Sequence, residues 1–304
     1  MAFAKNNTGV SARILKDSIQ QNGARMTTFE FTVPKVLIAE LNTHRALSKN
    51  LSSSRAIPVG KFSAIDSFKP AQWLKNRPGK KKKKEEIEKT ERAEEIWSNI
   101  IEACKTGSEL LSELGLHKQW TNRPNDWHNV AKGVLSGTDW NNFIWLRDDE
   151  AAQPEFQELA HNISGLLKSN KPEILGEDEW HVPYVVNTKK DGVMAYFDQS
   201  GRQLTVDDAI KLSSSCCAQV SYRNLDQSLE KALDIYEKLL GMPKKHASPF
   251  EHVATPIRLR TEPWNPLTWQ DGITHVRKNG WLCSGNLRGW VQYRQLIPHH
   301  TNWG

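Results

Sequence analysis

"MTTFEFTV", residues 26–33, sets Phe29, Phe31 and Val33 against Thr28, Glu30 and Thr32. That two-residue period is the pattern of a half-buried strand, and Pro34, which cannot donate to a ladder, ends it. Directly downstream, "KVLIAELNTHRAL" (35–47) has the spacing of a short helix, and the serine-rich run that follows reads as a loop.

Further out, helical patterns dominate. Ile96, Ile100, Cys104, Leu111 and Leu114 recur at helical spacing, with Gly115 as a C-terminal stop, so this stripe is expected to face the core and Cys104 to lie in it. "PEFQELAHNISGLLKS" (154–169) sets Phe156, Leu159, Ile163, Leu166 and Leu167 on one face, with Pro154 suited to the first turn. Residues 178–213 read as strands around a glycine-containing turn, then a short helix. "DQSLEKALDIYEKLLG" (226–241) reads as a helix capped by Asp226 or Ser228 and ended by Gly241. The sum predicts an α+β fold with a mixed or antiparallel sheet and long helices. Two halves, 1–175 and 176–304, are expected to form one integrated domain.

Composition bounds the function classes. At 304 residues with 38% hydrophobic and 25% charged residues, the chain fits a packed soluble protein without a membrane span. The opening "MAFAKNNTGVSAR" lacks the apolar stretch of a secretory signal, which predicts the cytoplasm. Four cysteines without a C-x-x-C pair predict reduced thiols rather than disulfides or zinc. A net charge of +6 fits a phosphate-bearing partner. The charge run 78–95, which holds five consecutive lysines, reads as a solvated loop leading into a helix.

Three clusters carry chemistry. In "NTHRALSKNLSSSR" (42–55), Arg45 and Arg55 offer planar forks, and serine hydroxyls with loop N–H groups can complete an anion cradle; the alternative is a polar turn capped by serines. In "KKHASPFEHVATP" (244–256), His246, Glu251 and His252 match no zinc-helix spacing, so a metal is not expected, and a satisfied structural histidine is the plain alternative. In residues 136–156, Asn141, Asn142, Arg147, Gln153 and Glu155 stand among Trp140, Phe143 and Trp145. That mixture suits a site that hydrogen-bonds a heteroaromatic ring, or an exposed helix end.

Together these stretches resemble the flavin-dependent thymidylate synthases (the ThyX family), whose hallmark is R-H-R followed by S-x-N-E-x-S-x-R. Here His44-Arg45 precede Ser48, Asn50, Ser53 and Arg55. "CAQVSY" (217–222) is similar to the family's A-R-V-S-Y, and "HASPFEH" (246–252) to its H-x-[ST]-P-F-E-H. "NNFIWLRDDEAAQPEFQELA" (141–160) resembles a family helix, "LGLHKQWTNR" (114–123) the segment before it, and the tail "NLRGWVQYRQLIP" (286–298) the family's N-L-R helix. The order is rearranged, because the S-Y and S-P-F-E-H segments come last. The chain therefore resembles a long, circularly permuted, phage-type member.

The resemblance implies that His44, Arg45, Ser221, His246, Ser248, Glu251 and Asn142 line an FAD site. It implies that Ser53, Arg55, Arg123, Arg147 and Glu40 hold the nucleotide, with Arg147 and Ser53 closest to the chemistry. The activity implied is methylation of dUMP to dTMP with methylenetetrahydrofolate and NADPH, by a homotetramer whose sites draw on several subunits. Departures stand at Glu40, Thr43, Leu51, Ala151 and Gln219, where the family has other residues. They leave open a different pyrimidine, for example one that is hydroxymethylated. A basic nucleic-acid-binding protein, suggested by the pI of about 9.0 and the lysine run, is the non-enzymatic alternative. Cys216 and Cys217 are expected to be buried and inert rather than nucleophilic.

Overall fold

The computed structural model describes residues 8–76 and 85–301. At its centre is the strand on which the sequence turns: β2 (Arg25–Pro34) pairs antiparallel with β1 (Ser11–Gln20) on one side and β4 (Val130–Gly137) on the other. β3 (Ser48–Leu51) adds to β4, and β5 (Glu173–Leu175) pairs parallel to β1, giving a mixed sheet in the order β3-β4-β2-β1-β5. The fold is α+β. β2 is buried on both faces rather than half-buried, because a central strand with cover on each side has no solvent face.

The first of those covers is apolar. Phe29, Phe31, Val33 and Leu135 pack against α5 (Asn141–Arg147) and α6 (Pro154–Ser169), where Phe143, Phe156, Leu159 and Ile163 are buried. Each such side chain contributes about 1.5–3 kcal/mol. Gly133 is required at its place on β4. A Cβ there would lie 2.6 Å from the Phe31 ring and 2.7 Å from Leu51, so only glycine lets the ring lie across the strand.

The other cover comes from the second half of the chain. The hairpin β6 (Val186–Lys190) and β7 (Val193–Phe197) turns at Asp191 and Gly192, both with positive φ, and β8 (Gln203–Leu204) extends it. α7 (Val206–Gln219), capped by Thr205, packs on α8 (Leu229–Leu240), capped by Ser228. β9 (Ala254–Pro256) pairs with the later β13 (Trp290–Gln292), and β10 (His275–Val276), β11 (Leu282–Ser284) and β12 (Leu287–Arg288) make a small antiparallel sheet.

Several expectations change. The helix read over 35–47 is a 3-10 turn and a five-residue α1 (Ile38–Asn42), and the serine loop opens with β3, because the free edge of β4 pairs with it. The stretch 141–160 is two helices: Asp149 caps the break through the N–H of Ala151, and Pro154 starts the second helix. The tail 286–298 is β12, β13 and a 3-10 turn rather than a helix.

α3 (Thr90–Glu113) forms as expected and Gly115 follows with φ of +78°, yet its stripe is rotated outward. Trp97, Ile101 and Ser108 turn inward instead, Trp97 against Phe68, Trp73 and Trp127. Cys104 is half-buried beside Trp127. Short α2 (Val59–Ser63) and α4 (Lys118–Thr121) complete this corner. Of the charge run, residues 78–84 lie outside the described residues. No helix among those described is long and apolar enough to cross a membrane.

Candidate functional site

β3 brings the first cluster to the second half of the chain. The N–H of Ser53 donates to the Ser221 carbonyl (3.1 Å), and the Asn50 amide donates to the Cys217 carbonyl (3.3 Å). The Gln292 amide donates to Ser48 Oγ (3.4 Å) and to the Glu251 carbonyl (3.3 Å). One backbone pair and three side-chain amide bonds thus fasten the serine segment and the turn at Glu251 to chain remote in sequence, and only the Ser53–Ser221 bond holds without depending on a side-chain rotamer.

Beside these joints opens a cavity of about 680 Å³ between the end of α7, α8 and the 3-10 turn Ser248–His252. Asn50, Ser221, Asn224, His246 and Ser248 present donors and acceptors to it. Ile235, Leu239 and Met242 form an apolar wall, and Tyr222 adds an aromatic ring. Lys231 and Lys238 stand at its edge, both paired with Asp234. The size falls within the range for small-molecule sites.

A second cluster lies around His44. Arg147 donates through Nε to His44 Nε2 (3.0 Å), through a terminal nitrogen to Glu40 (2.7 Å), and sits 4.4 Å over the Phe156 ring. Burial, then the nearby guanidinium, holds the His44 pKa down to about 4, so the imidazole is neutral and Nε2 accepts. Lys49 donates to the His44 and Leu47 carbonyls; burial lowers its pKa, opposed by the Glu251 charge. Glu251 is itself paired with Arg294.

A third group fixes the serine loop. The Asn122 amide donates to the Ser54 and Ile57 carbonyls (2.7 and 3.0 Å), and Arg123 pairs with Asp126, which also accepts from Ser54. Arg45, Arg55 and Asn142 are exposed. Of the residues read from the sequence, Ser221, His246 and Ser248 share the cavity, with Ser53 fastened to its rim; Glu40, His44 and Arg147 share the second cluster; Arg123 lies on the third. Lys49, Gln292, Arg294 and Tyr222 were not singled out. Tyr222 stands in the S-Y motif and Arg294 in the tail segment, where a signal existed.

A buried polar chain runs through the interior. Ser18 bonds His181 Nδ1 (2.9 Å), His181 Nε2 bonds Thr28 (2.8 Å), Thr28 bonds Ser136 (2.7 Å), and Ser136 bonds His252 Nδ1 (2.8 Å). His252 Nε2 has no hydrogen-bond partner among the described residues. Burial pushes the His252 pKa down to about 3 and that of His181 well below its ordinary value. The thiols of Cys216 and Cys217 are buried too, Cys216 pushed up to about 12 by desolvation and Cys217 also raised. Neither is a thiolate near neutral pH. No group of three acidic, histidine or cysteine side chains is placed to hold a metal among the described residues.

No family model matches the chain, and no curated protein matches it. Among solved structures, two of the flavin dependent thymidylate synthase ThyX from Helicobacter pylori, both with FAD and dUMP, are similar to it over part of its length. Each covers 47% of this chain and 67% of its own, at 19% identity and a TM-score of 0.34.

Proposed function

We propose that the protein is a cytoplasmic, flavin-dependent enzyme that methylates dUMP to dTMP, with methylenetetrahydrofolate as carbon donor and NADPH as reductant, and that it works as a homo-oligomer. The observation that carries this reading is the meeting of three motif segments, remote in sequence, at one cavity: Asn50 and Ser53, Ser221, and His246 with Ser248. The two halves, 1–175 and 176–304, then act as one integrated unit.

The cavity residues fit FAD. Amides and hydroxyls at Asn50, Ser221, Asn224 and Ser248 suit ribose and ring edges, Tyr222 offers a stacking face, and the adjacent lysines suit a pyrophosphate. When bound, the flavin supplies the hydride chemistry. His44, Arg45, His246, Glu251 and Asn142 are assigned to the same cofactor. Ser53, Arg55, Arg123 and Arg147 are assigned to the nucleotide, with Glu40 beside them. A guanidinium can clamp a phosphate and stabilise charge developing on a pyrimidine oxygen. Cys216 and Cys217 are buried with raised pKa values and take no nucleophilic part in this reading, in which carbon transfer relies on orientation and electrostatics.

One feature favours a second reading, modification of another pyrimidine nucleotide. The Glu40 carboxylate occupies Arg147 at 2.7 Å, which places negative charge where a phosphate would compete for the fork. Absorption spectra of the purified protein, titrated with FAD and then with dUMP or dCMP, test both. Flavin bands that shift with dUMP support the first reading, and bands that shift only with dCMP support the second. Failure to take up FAD at any concentration sinks both.

A further inference from the structure

α3 carries two apolar faces, and the fold uses one. Trp97, Ile101 and Ser108 are turned into the chain. About 120° round the helix from them, Ala93, Ile96, Ile100, Ala103, Gly107, Leu110 and Leu114 follow one another in alternating steps of three and four, the seam of a coiled coil. Ile96, Ile100, Leu110 and Leu114 are 46, 47, 56 and 84% exposed. A Cβ added at Gly107 would meet nothing within 4 Å. A mid-helix glycine weakens a helix, and no neighbour among the described residues requires this one.

We propose that this seam pairs antiparallel with the α3 of a second copy of the chain. The stripe is self-complementary in one register, in which Ile96 faces Gly107 of the other copy, Ile100 faces Ala103 and Leu110 faces Ala93. Large residues enter the spaces left by small ones, and a two-fold axis makes every contact twice. Gly107 then serves as the socket for Ile96.

Charge selects the same orientation. Arg92 and Glu113 flank the seam on one side at opposite ends, both on the surface, Arg92 in an exposed ion pair with Glu95 of its own helix that is weak enough to share or exchange. Antiparallel pairing in this register sets each Arg92 beside the Glu113 of the other copy, with polar Asn99 near Thr106 between them. It also opposes the helix dipoles favourably. A parallel pair would leave the two Arg92 side chains at one end, on opposite sides of the seam, and the two Glu113 at the other, with no ion pair between them. This pairing does not depend on the enzymatic reading above.

The test is the mass of the full chain by light scattering and sedimentation over a range of concentrations. The expected result is a concentration-dependent assembly of at least two copies of the 34.6 kDa chain, halved in mass by Ile100→Glu or Leu110→Glu with an unchanged circular dichroism spectrum. Because both positions are exposed, these variants should fold; Leu114→Lys, on the most exposed position, is the second line. A wild-type chain that stays monomeric at all concentrations, or variants that keep the wild-type mass, would overturn the proposal. Orientation is read by disulfide trapping in a Cys104→Ser background. Mixed Ile96→Cys and Gly107→Cys chains should cross-link with each other, and efficient cross-linking of either alone would overturn the antiparallel register.

Discussion

On one face of β2, Phe29, Phe31 and Val33 lie against α5 and α6 in an apolar layer. On the other face, Thr28 and Glu30 are almost as deeply buried but spend their polar atoms. Thr28 joins the chain from Ser18 to His252, while Glu30 binds Arg13, Lys132 and the Tyr184 hydroxyl. The first face is held by area removed from water and tolerates any well-shaped hydrocarbon. The second is held by pairing, so each member matters through the partners it would strand. Adjacent residues of one strand therefore answer to different physics.

The largest effect should come from the apolar face. Phe31→Ala removes a fully buried ring beside Gly133 and is expected to cost about 3–5 kcal/mol, read as a lower denaturant midpoint at unchanged slope. A loss under about 1 kcal/mol would mean the layer collapses around the gap and is not close-packed.

Thr28→Val probes the other face at nearly constant shape. It strands His181 Nε2 and leaves the Ser136 hydroxyl with His252 alone, and the expected cost is about 1–3 kcal/mol. A neutral result would show that water replaces the hydroxyl, and the chain would then not be the closed pairing described above.

Acid separates the faces further. His181 and His252 are held neutral, with folded pKa values below the ordinary 6.5. Between pH 6.5 and the folded values the unfolded chain binds more protons than the native one. Their contribution is therefore complete above about pH 6.5 and is lost as pH falls toward about 3. Each such histidine steepens the loss by at most about 1.4 kcal/mol per pH unit. In urea titrations between pH 6 and 5, His252→Gln should flatten that dependence, whereas an unchanged slope would place the acid sensitivity elsewhere.

Legibility in the sequence follows the same division. The strand at 26–33 and α6 were readable, because a period of two or of 3.6 needs only local residues and an apolar partner. β3 was not, since Ser48–Leu51 becomes a strand only through the edge of β4, some eighty residues away. α3 was legible as a helix but not in its orientation, because both faces carry apolar spacing and only the Trp97 contacts decide between them. Within the candidate site, motifs pointed to Ser221, His246 and Ser248, which meet at the cavity. Lys49, Gln292 and Arg294 act through carbonyls and a carboxylate brought close by the fold, and no local pattern announces that. The buried hydroxyl–imidazole chain was hidden for a similar reason: Thr28 and Ser136 look like solvent-side residues until a second cover arrives.

The smallest predicted effect sharpens the comparison most. Thr32 lies on the same face of the same strand as Thr28, and its hydroxyl also bonds another hydroxyl, that of Ser11, at 2.7 Å. The chemistry is alike, but both partners are only partly buried. Water can therefore take the place of a lost hydroxyl, and a half-exposed hydrogen bond exchanges one good partner for another. Thr32→Val should change stability by no more than about 0.5 kcal/mol, measured beside Thr28→Val in the same urea series. If the two substitutions cost the same, hydroxyl pairing itself would carry the energy wherever it occurs. If Thr32→Val is neutral while Thr28→Val is not, burial turns an ordinary hydrogen bond into a structural requirement, and the cover supplied by His181 and His252 is what makes the second face intolerant.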